Sequence, residues 1–295
     1  LKPARAWSSG LFFRQCWHGR GRFMDSAAGI ATRVGTVAAR DITDGALPPR
    51  IFVSIFSDGD PECQRTLQSL FGRAARPERL AVGICWRAGS SGGKPAEAAG
   101  LGRWAEQVRV CLADQAHKLG PAAARGLAFR ELYQGEEYCL HLASHARLAK
   151  NWDEELLDQL QRCPSDRPVL TNCHEPRRPH DSGRATEEVS DELEGPSSLP
   201  CGSTCPQADG RRGGLAIQGR TPLRTAVEAD VPLRSLLCDP ALAFCKSSDL
   251  REVLADPGPD MPGVEDIAVF SARLWTRGCD FFVPPRRVAR CFPPP

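Results

Sequence analysis

Hydrophobic and polar residues alternate in distinct blocks from residue 50 onwards, and each block predicts a strand or a helix. The β-branched and aromatic run Ile51–Phe56 is typical of a strand that is covered on both faces. Asp60 follows as an N-cap and Pro61 as the first residue of a helix. Residues spaced by three and four positions give this helix one apolar face, which consists of Leu67, Leu70 and Phe71.

The alternation of blocks continues as far as residue 171. Further strands are predicted at Leu80–Trp86, Val108–Leu112, Tyr138–Leu142 and Pro168–Thr171. Helices are predicted over 121–134, where Gly135 follows as a stop, and over Asp153–Cys163. Because strands that alternate with helices favour parallel crossovers, we predict an α/β fold with a mostly parallel core sheet.

Composition sets apart two segments that lack this alternation. Residues 1–48 carry Gly, Arg and Ala without a sustained period, which predicts a disordered N-terminal extension to a domain spanning 49–292. Residues 174–214 are rich in Pro, Arg, Ser, Gly and acidic residues, which predicts a disordered insertion within that domain. After the insertion, helices are predicted over Ser247–Val253 and Glu265–Arg277, the second ending at Gly278.

Charge and hydropathy argue against two classes of partner. Lys and Arg together number 38 and Asp and Glu number 36, so the net charge is close to zero. Nucleic-acid binding needs a clustered basic face rather than mixed charge, and we therefore expect no nucleic-acid partner. No run approaches the roughly 18 apolar residues that a membrane helix needs, so no membrane segment is predicted in this sequence.

The 13 cysteines indicate buried thiols rather than a disulfide framework, because their number is odd and the chain is long. Cys85, Cys111 and Cys139 fall inside apolar strands, where cysteine acts as a small hydrophobic residue. We therefore expect a reducing, cytoplasmic compartment. Cys201 and Cys205 could form half of a zinc site, but no second closely spaced pair lies nearby and chance spacing is favoured.

The chemistry of the chain is concentrated in residues 135–154. The glycine motifs of dinucleotide-binding and P-loop proteins are missing, as is the Gly-x-Ser-x-Gly motif of many hydrolases. Residues 135–145 instead form a buried strand that ends in a short polar turn, which is where open α/β sheets bind ligands. Acidic and histidine side chains at strand ends suit a nucleotide-sugar transferase, in which a divalent cation neutralises the departing diphosphate.

This stretch resembles the Asp-Ser-His metal motif of glycosyltransferases that attach N-acetylglucosamine to protein hydroxyl groups. From Arg50 to Phe292, apart from the insertion, the chain is similar to the cytoplasmic hydroxyproline-modifying N-acetylglucosaminyltransferase family. The resemblance implies a GT-A nucleotide-sugar-binding fold, UDP-GlcNAc as the donor, a protein hydroxyl as the acceptor, and Mn²⁺ or Mg²⁺ as the cofactor. The segments that carry it are Ile51–Glu62, Pro77–Trp86, Gly135–Glu154, Cys163–Thr171, Glu265–Ala268 and Ala272–Pro285.

The resemblance also implies roles for individual residues. It places Ser54 and Asp60 beside the uridine, and Arg125 beside the diphosphate, whose oxygens suit a planar guanidinium. Glu265 and Asp266 match an acidic pair near the acceptor, where a carboxylate could take the proton of the hydroxyl group. The residues alone allow plainer interpretations: Arg125 as a surface charge, and the acidic pair as a complement to a helix dipole.

The implied metal site departs from the family pattern at two of its three positions. His145 matches a metal ligand, although a single histidine is often only a hydrogen-bonded polar group. Ala143 stands where the family has its aspartate, and Cys291 where it has another histidine. A methyl group offers no oxygen to a hard cation, and a thiolate prefers softer metals. Two functions therefore stay open: an impaired transferase, or a catalytically inactive relative that acts as a binding module.

Overall fold

The computed structural model describes residues 49–87, 101–113, 119–171, 198–204, 215–222, 231–255 and 264–291. The strands in these segments are β1 (Ile51–Asp58), β2 (Leu80–Arg87), β3 (Val108–Ala113), β4 (Tyr138–Ala143), β5 (Ala146–Leu148), β6 (Pro168–Thr171), β7 (Ser198–Thr204), β8 (Leu215–Pro222), β9 (Leu233–Ser235), β10 (Leu242–Lys246), β11 (Asp280–Val283) and β12 (Ala289–Cys291). The α-helices are α1 (Glu62–Arg73), α2 (Pro121–Leu132), α3 (Trp152–Gln161), α4 (Ser247–Ala255) and α5 (Val264–Trp275).

Eight strands form one central sheet in the order β3-β2-β1-β4-β10-β6-β11-β9. Strands β3, β2, β1 and β4 are parallel to one another, and β11 is parallel to β6. Strand β10 runs antiparallel between β4 and β6, and β9 runs antiparallel at the edge beside β11. This arrangement confirms the predicted α/β class with a mostly parallel core sheet.

Helices cover both faces of the sheet, which explains why its strands are apolar along their whole length. Neighbouring residues of a strand point to opposite faces. Val53 accordingly belongs to the buried cluster that includes α1 and α3, whereas Phe52 belongs to the cluster that includes α2, α4 and α5. Both residues are fully buried, as expected for a strand between two helical layers.

The elements predicted up to residue 171 are confirmed, with ends that differ by at most two residues. Helix α1 begins as predicted, because the Asp60 Oδ1 atom accepts a hydrogen bond from the Glu62 N–H (2.8 Å) and Pro61 already has helical dihedral angles (φ −64°, ψ −22°). Gly135 (φ +95°) and Gly278 (φ +85°) lie just beyond the ends of α2 and α5, in a backbone region that favours glycine.

The second half of the chain agrees with the prediction in its two helices, which are present as α4 and α5, but differs in its strands. Strand β7 lies inside the segment 174–214, which was predicted to be a disordered insertion, and it pairs antiparallel with β8. The pattern of β7 is hidden by Pro200 and Gly202, between which the pairing shifts register. The rest of that insertion and the predicted extension 1–48 lie outside the described residues. Strand β8 was not predicted either, and neither were the short strands β5, β9, β10, β11 and β12, which have three to five residues each.

A buried ion pair ties the first turn of α3 to the start of β2. The carboxylate of Asp153 accepts hydrogen bonds from Arg79 Nη2 (2.6 Å) and from the backbone N–H groups of Ala75 (2.7 Å) and Arg76 (3.0 Å). Asp153 is 0% exposed and Arg79 is 4% exposed. Because both charges are buried, loss of either side chain would leave the other charge without its partner, so the fold depends on both being present.

Candidate functional site

The carboxyl ends of β1 and β4 lie side by side, because the two strands pair in parallel with Phe56 opposite Ala143. The loop from β1 to α1 and the turn from β4 to β5 therefore meet at one edge of the sheet. Their polar residues include Asp60 in the loop, and Ser144 and His145 in the turn. This edge is where open α/β sheets bind their ligands.

The carboxylate of Asp60 connects the loop to the turn. Its Oδ2 atom accepts a hydrogen bond from the Ser144 hydroxyl (2.8 Å) and lies 3.5 Å from the Nδ1 atom of His145. Its Oδ1 atom accepts from the Glu62 N–H, and its own backbone N–H donates to the Ser57 hydroxyl (3.3 Å). The structure thus brings the predicted residues Asp60 and His145 together.

Thr66 on helix α1 fixes the turn that carries His145. Its buried hydroxyl donates to the carbonyl oxygen of Ser144 (2.6 Å) and accepts from the N–H of Ala146 (3.0 Å). The sequence analysis did not single out Thr66, although a polar residue next to Leu67 on the apolar face of α1 is a usable signal. Helix α1, which begins after Asp60, therefore also fixes the turn between β4 and β5.

The side chains at this edge fit a divalent cation only in part. His145 offers an imidazole, whereas Ala143 at the end of β4 offers only a methyl group. Cys291 lies opposite Ala146 in the β5–β12 pair and packs against the apolar cluster of α1 and α3. Within the described residues, no three His, Cys, Asp or Glu side chains converge to hold a metal. The ligand role of His145 stays a prediction.

A second cluster joins two predicted residues that had been given separate roles. Arg125 on α2 donates to Asp266 on α5 through both terminal nitrogens, Nη1 to Oδ2 (2.9 Å) and Nη2 to Oδ1 (2.6 Å). Each of the two residues is 8% exposed, and the Arg125 guanidinium also lies 5.2 Å from the Phe270 ring centroid. Glu265 occupies the first turn of α5 beside Asp266. The plainer interpretation of Arg125 as a surface charge is wrong, while its donor role stays a prediction.

Ser54 lies within the sheet rather than at its edge, directly opposite His141 on β4. Both residues are buried, and the His141 ring lies edge-on to Phe270 with 6.1 Å between ring centroids. Burial, and secondly the charge of Arg125, lower the pKa of His141 to about 3, so its imidazole is neutral at physiological pH. His141 was not predicted from the sequence, although it lies two residues after Cys139 and therefore on the same face of β4.

Buried cysteine thiols line the sheet, as predicted for Cys85, Cys111 and Cys139. Burial raises the pKa of the Cys63 thiol to about 12, which keeps it protonated. No helix in the described part of the chain has the length and apolar character needed to cross a membrane.

Three solved glycosyltransferase structures have a similar fold. GalNAc-T7, crystallised with UDP, GalNAc and Mn²⁺, superposes with a TM-score of 0.57 at 17% identity, over 84% of this chain and 44% of that chain. TarS from S. aureus superposes with a TM-score of 0.50 at 11% identity, over 82% of this chain and 60% of that chain. The mannosyltransferase PcManGT from Pyrobaculum calidifontis, in complex with GDP-Man and Mn²⁺, superposes with a TM-score of 0.50 at 16% identity, over 83% of this chain and 57% of that chain. The fold is therefore that of GT-A glycosyltransferases, and the chain spans about half the length of these proteins.

Sequence comparison identifies the family. No curated protein matches the chain. The family model described as Glycosyltransferase (GlcNAc) matches residues 50–102 and 99–292, which together make up most of the sequence. These matched residues contain both site clusters, the one around Asp60 and His145 and the one around Arg125 and Asp266. The chain therefore belongs to the GlcNAc glycosyltransferase family.

Proposed function

We propose that this chain transfers N-acetylglucosamine from UDP-GlcNAc to a protein hydroxyl, as the hydroxyproline-modifying enzymes that it resembles do. The observation that carries the proposal is the convergence of Asp60, Ser144 and His145 at the carboxyl ends of β1 and β4. In open α/β sheets this edge receives the ligand. TarS, a structural neighbour, was crystallised with UDP-GlcNAc, which supports the choice of donor.

Two of the predicted residues, Asp60 and Arg125, would bind the donor in this proposal. The loop that contains Asp60 borders the uridine, whereas Ser54 is buried within β1 and offers almost no surface to a ligand. Arg125 approaches the diphosphate, and its ion pair with Asp266 holds its guanidinium in one orientation while offsetting part of its charge. The resemblance gives Glu265 and Asp266 the role at the acceptor. We assign the acceptor proton to Glu265, because the carboxylate of Asp266 is bound to Arg125.

A divalent cation, Mn²⁺ or Mg²⁺, belongs to the proposal, with His145 as one of its ligands. When bound, such a cation neutralises the charge that develops on the departing diphosphate. Two of the structural neighbours were crystallised with Mn²⁺. We place the activity in the cytoplasm, because the thiols of Cys85 and Cys139 are buried and unbridged and a reducing compartment keeps cysteines in that state.

A catalytically inactive binding module is the second candidate, and Ala143 favours it. The side chain at this position cannot bind a hard cation, so the site has lost a ligand that the transfer chemistry of the family uses. Such a protein would keep the sheet and bind a nucleotide, a sugar or a partner protein without turnover. The transferase requires binding of UDP that responds to metal, whereas a module that binds a nucleotide would bind UDP without that response.

Calorimetric titration of UDP with and without Mn²⁺ separates the candidates, and the substitution Ala143→Asp tests the site. We expect Ala143→Asp to raise the Mn²⁺-dependent affinity for UDP by about tenfold or more, because it returns an anionic oxygen to the end of β4. Ala143→Asn is the matched control, since it has the same size without the charge. Equal Mn²⁺-dependent affinities in all three proteins would contradict the site assignment.

Transfer itself is measured with radiolabelled UDP-GlcNAc and hydroxyproline-containing acceptor peptides. Incorporation of label that requires Mn²⁺ supports the transferase. If the affinity for UDP does not depend on Mn²⁺ and no label is incorporated into the peptides, the result supports the binding module. Absence of UDP binding in both conditions would refute the transferase and a nucleotide-binding module.

A further inference from the structure

We propose that Asp60 supplies the carboxylate that Ala143 does not, so that Asp60 and His145 together hold a divalent cation. The identity of the bound nucleotide sugar rests on the proposed function, whereas the metal ligands follow from the contacts of these two side chains. Asp60 thereby has a role beyond bordering the uridine.

The spacing of the two side chains suits one shared cation. The Asp60 Oδ2 and His145 Nδ1 atoms lie 3.5 Å apart. Two neighbouring ligands at about 2.1 Å from an octahedral cation lie about 3 Å from each other, so a small rotation of either side chain is sufficient. The two side chains are 9% and 20% exposed, which leaves the pair partly shielded yet open to solvent at the edge of the sheet.

The hydrogen bonds of Asp60 leave room for a metal. A carboxylate has about four lone-pair positions. The Oδ1 atom uses one for the Glu62 N–H and the Oδ2 atom uses one for the Ser144 hydroxyl. A cation can therefore bind Oδ2 without breaking the N-cap of α1, and the Ser144 hydroxyl orients the carboxylate as a supporting hydrogen bond does in many metal sites.

The surrounding contacts favour these two ligands over others. The carboxylate of Glu62, two residues after Asp60, forms ion pairs with Arg65 and Arg147. Thr66 holds the turn between β4 and β5, so His145 is presented by a fixed backbone. Water and the oxygens of the donor diphosphate would complete the coordination, as they do in Mg²⁺ sites with one or two carboxylates.

The test measures binding of Mn²⁺ alone to the full chain, by the electron paramagnetic resonance signal of free Mn²⁺. Asp60→Asn is the informative variant, because asparagine also caps helices and the fold should persist. The matched control is Asp58→Asn, which removes the nearby carboxylate that pairs with Arg87 at the end of β1. We expect Asp60→Asn to weaken Mn²⁺ affinity at least about tenfold and Asp58→Asn to leave it within about twofold.

A second arm separates metal binding from contact with the uridine. In the absence of metal, any change that Asp60→Asn makes in the affinity for UDP measures the contact with the uridine alone. Ala143→Asp is expected to restore Mn²⁺ binding in the Asp60→Asn background. Unchanged Mn²⁺ affinity in Asp60→Asn, or no specific Mn²⁺ binding by the natural chain, would overturn the inference. Neither result depends on transfer, so the proposed activity is tested independently by the incorporation assay.

Discussion

Replacing His141 with glutamine is expected to reduce the sensitivity of this protein to acid. Burial, followed by the nearby charge of Arg125, lowers the pKa of His141 from 6.5 to about 3. Between these values the unfolded chain binds a proton at this side chain and the folded chain does not. The free energy of unfolding must therefore fall as the pH falls through 6.5, and the loss for one such group is about 2 kcal/mol between pH 7 and pH 5.

The neighbourhood of His141 explains why the folded protein resists this protonation. The imidazole is 1% exposed and packs edge-on against Phe270. The positive charge of Arg125 disfavours a second cation at His141, although the carboxylate of Asp266 offsets part of that charge. Glutamine keeps a polar side chain of similar length at this position and cannot become charged, so the variant lacks this one contribution to the pH dependence.

Urea unfolding of both proteins at pH 8, 7, 6 and 5 measures the effect. The difference in free energy of unfolding between variant and natural chain should change by only about 0.1 kcal/mol from pH 8 to pH 7, where most unfolded chains are still unprotonated at this position. From pH 7 to pH 5 it should move by about 2 kcal/mol in favour of the variant. A difference that stays constant down to pH 5 would refute the assignment of His141 as a neutral, buried base.

Two further predictions concern the packing of the sheet, and urea unfolding at neutral pH tests both. Asp153→Ala should destabilise the protein by about 3–5 kcal/mol, because it leaves the buried guanidinium of Arg79 without its partner. Glu154→Ala removes an exposed ion pair and should lower the free energy of unfolding by about 1 kcal/mol or less. Gly83→Ala would place a carbon 2.5 Å from the buried Phe52 ring and should cost about 1–3 kcal/mol. Gly72→Ala, with open space in helix α1, should instead stabilise by about 0.5–1 kcal/mol. Equal effects within either pair would contradict the packing described.

Much of the first half of the fold could be predicted because its signals are local. The run that forms β1 is apolar at every position since helices cover both of its faces, and Asp60 begins α1 through a hydrogen bond two residues away. The assignment of His145 likewise depends on consecutive residues between β4 and α3, and the resemblance to a glycosyltransferase family depends on short segments of this kind along the chain. The GlcNAc glycosyltransferase family is confirmed. The hydroxyproline-modifying family and the metal role of His145 stay predictions.

The short strands of the second half could not be predicted from their own residues. Strand β10 is five residues long and is stabilised by antiparallel pairing with β4 and β6. Strand β12 has three residues and pairs with β5, which is how Cys291 comes to lie opposite Ala146. A segment of this length carries too few positions for a period to stand out, and its partners are distant in the sequence.

The sequence by itself determined the order and type of the early elements, the buried thiols of the sheet and the family of the chain, because each depends on neighbouring residues. Only the tertiary structure decided which of the candidate side chains meet. Arg125 and Asp266 are 141 residues apart in the chain yet form one ion pair. Asp60 and His145 meet because β1 and β4 are parallel neighbours. Contacts of this kind follow from the order of strands in the sheet, which no local pattern of residues encodes.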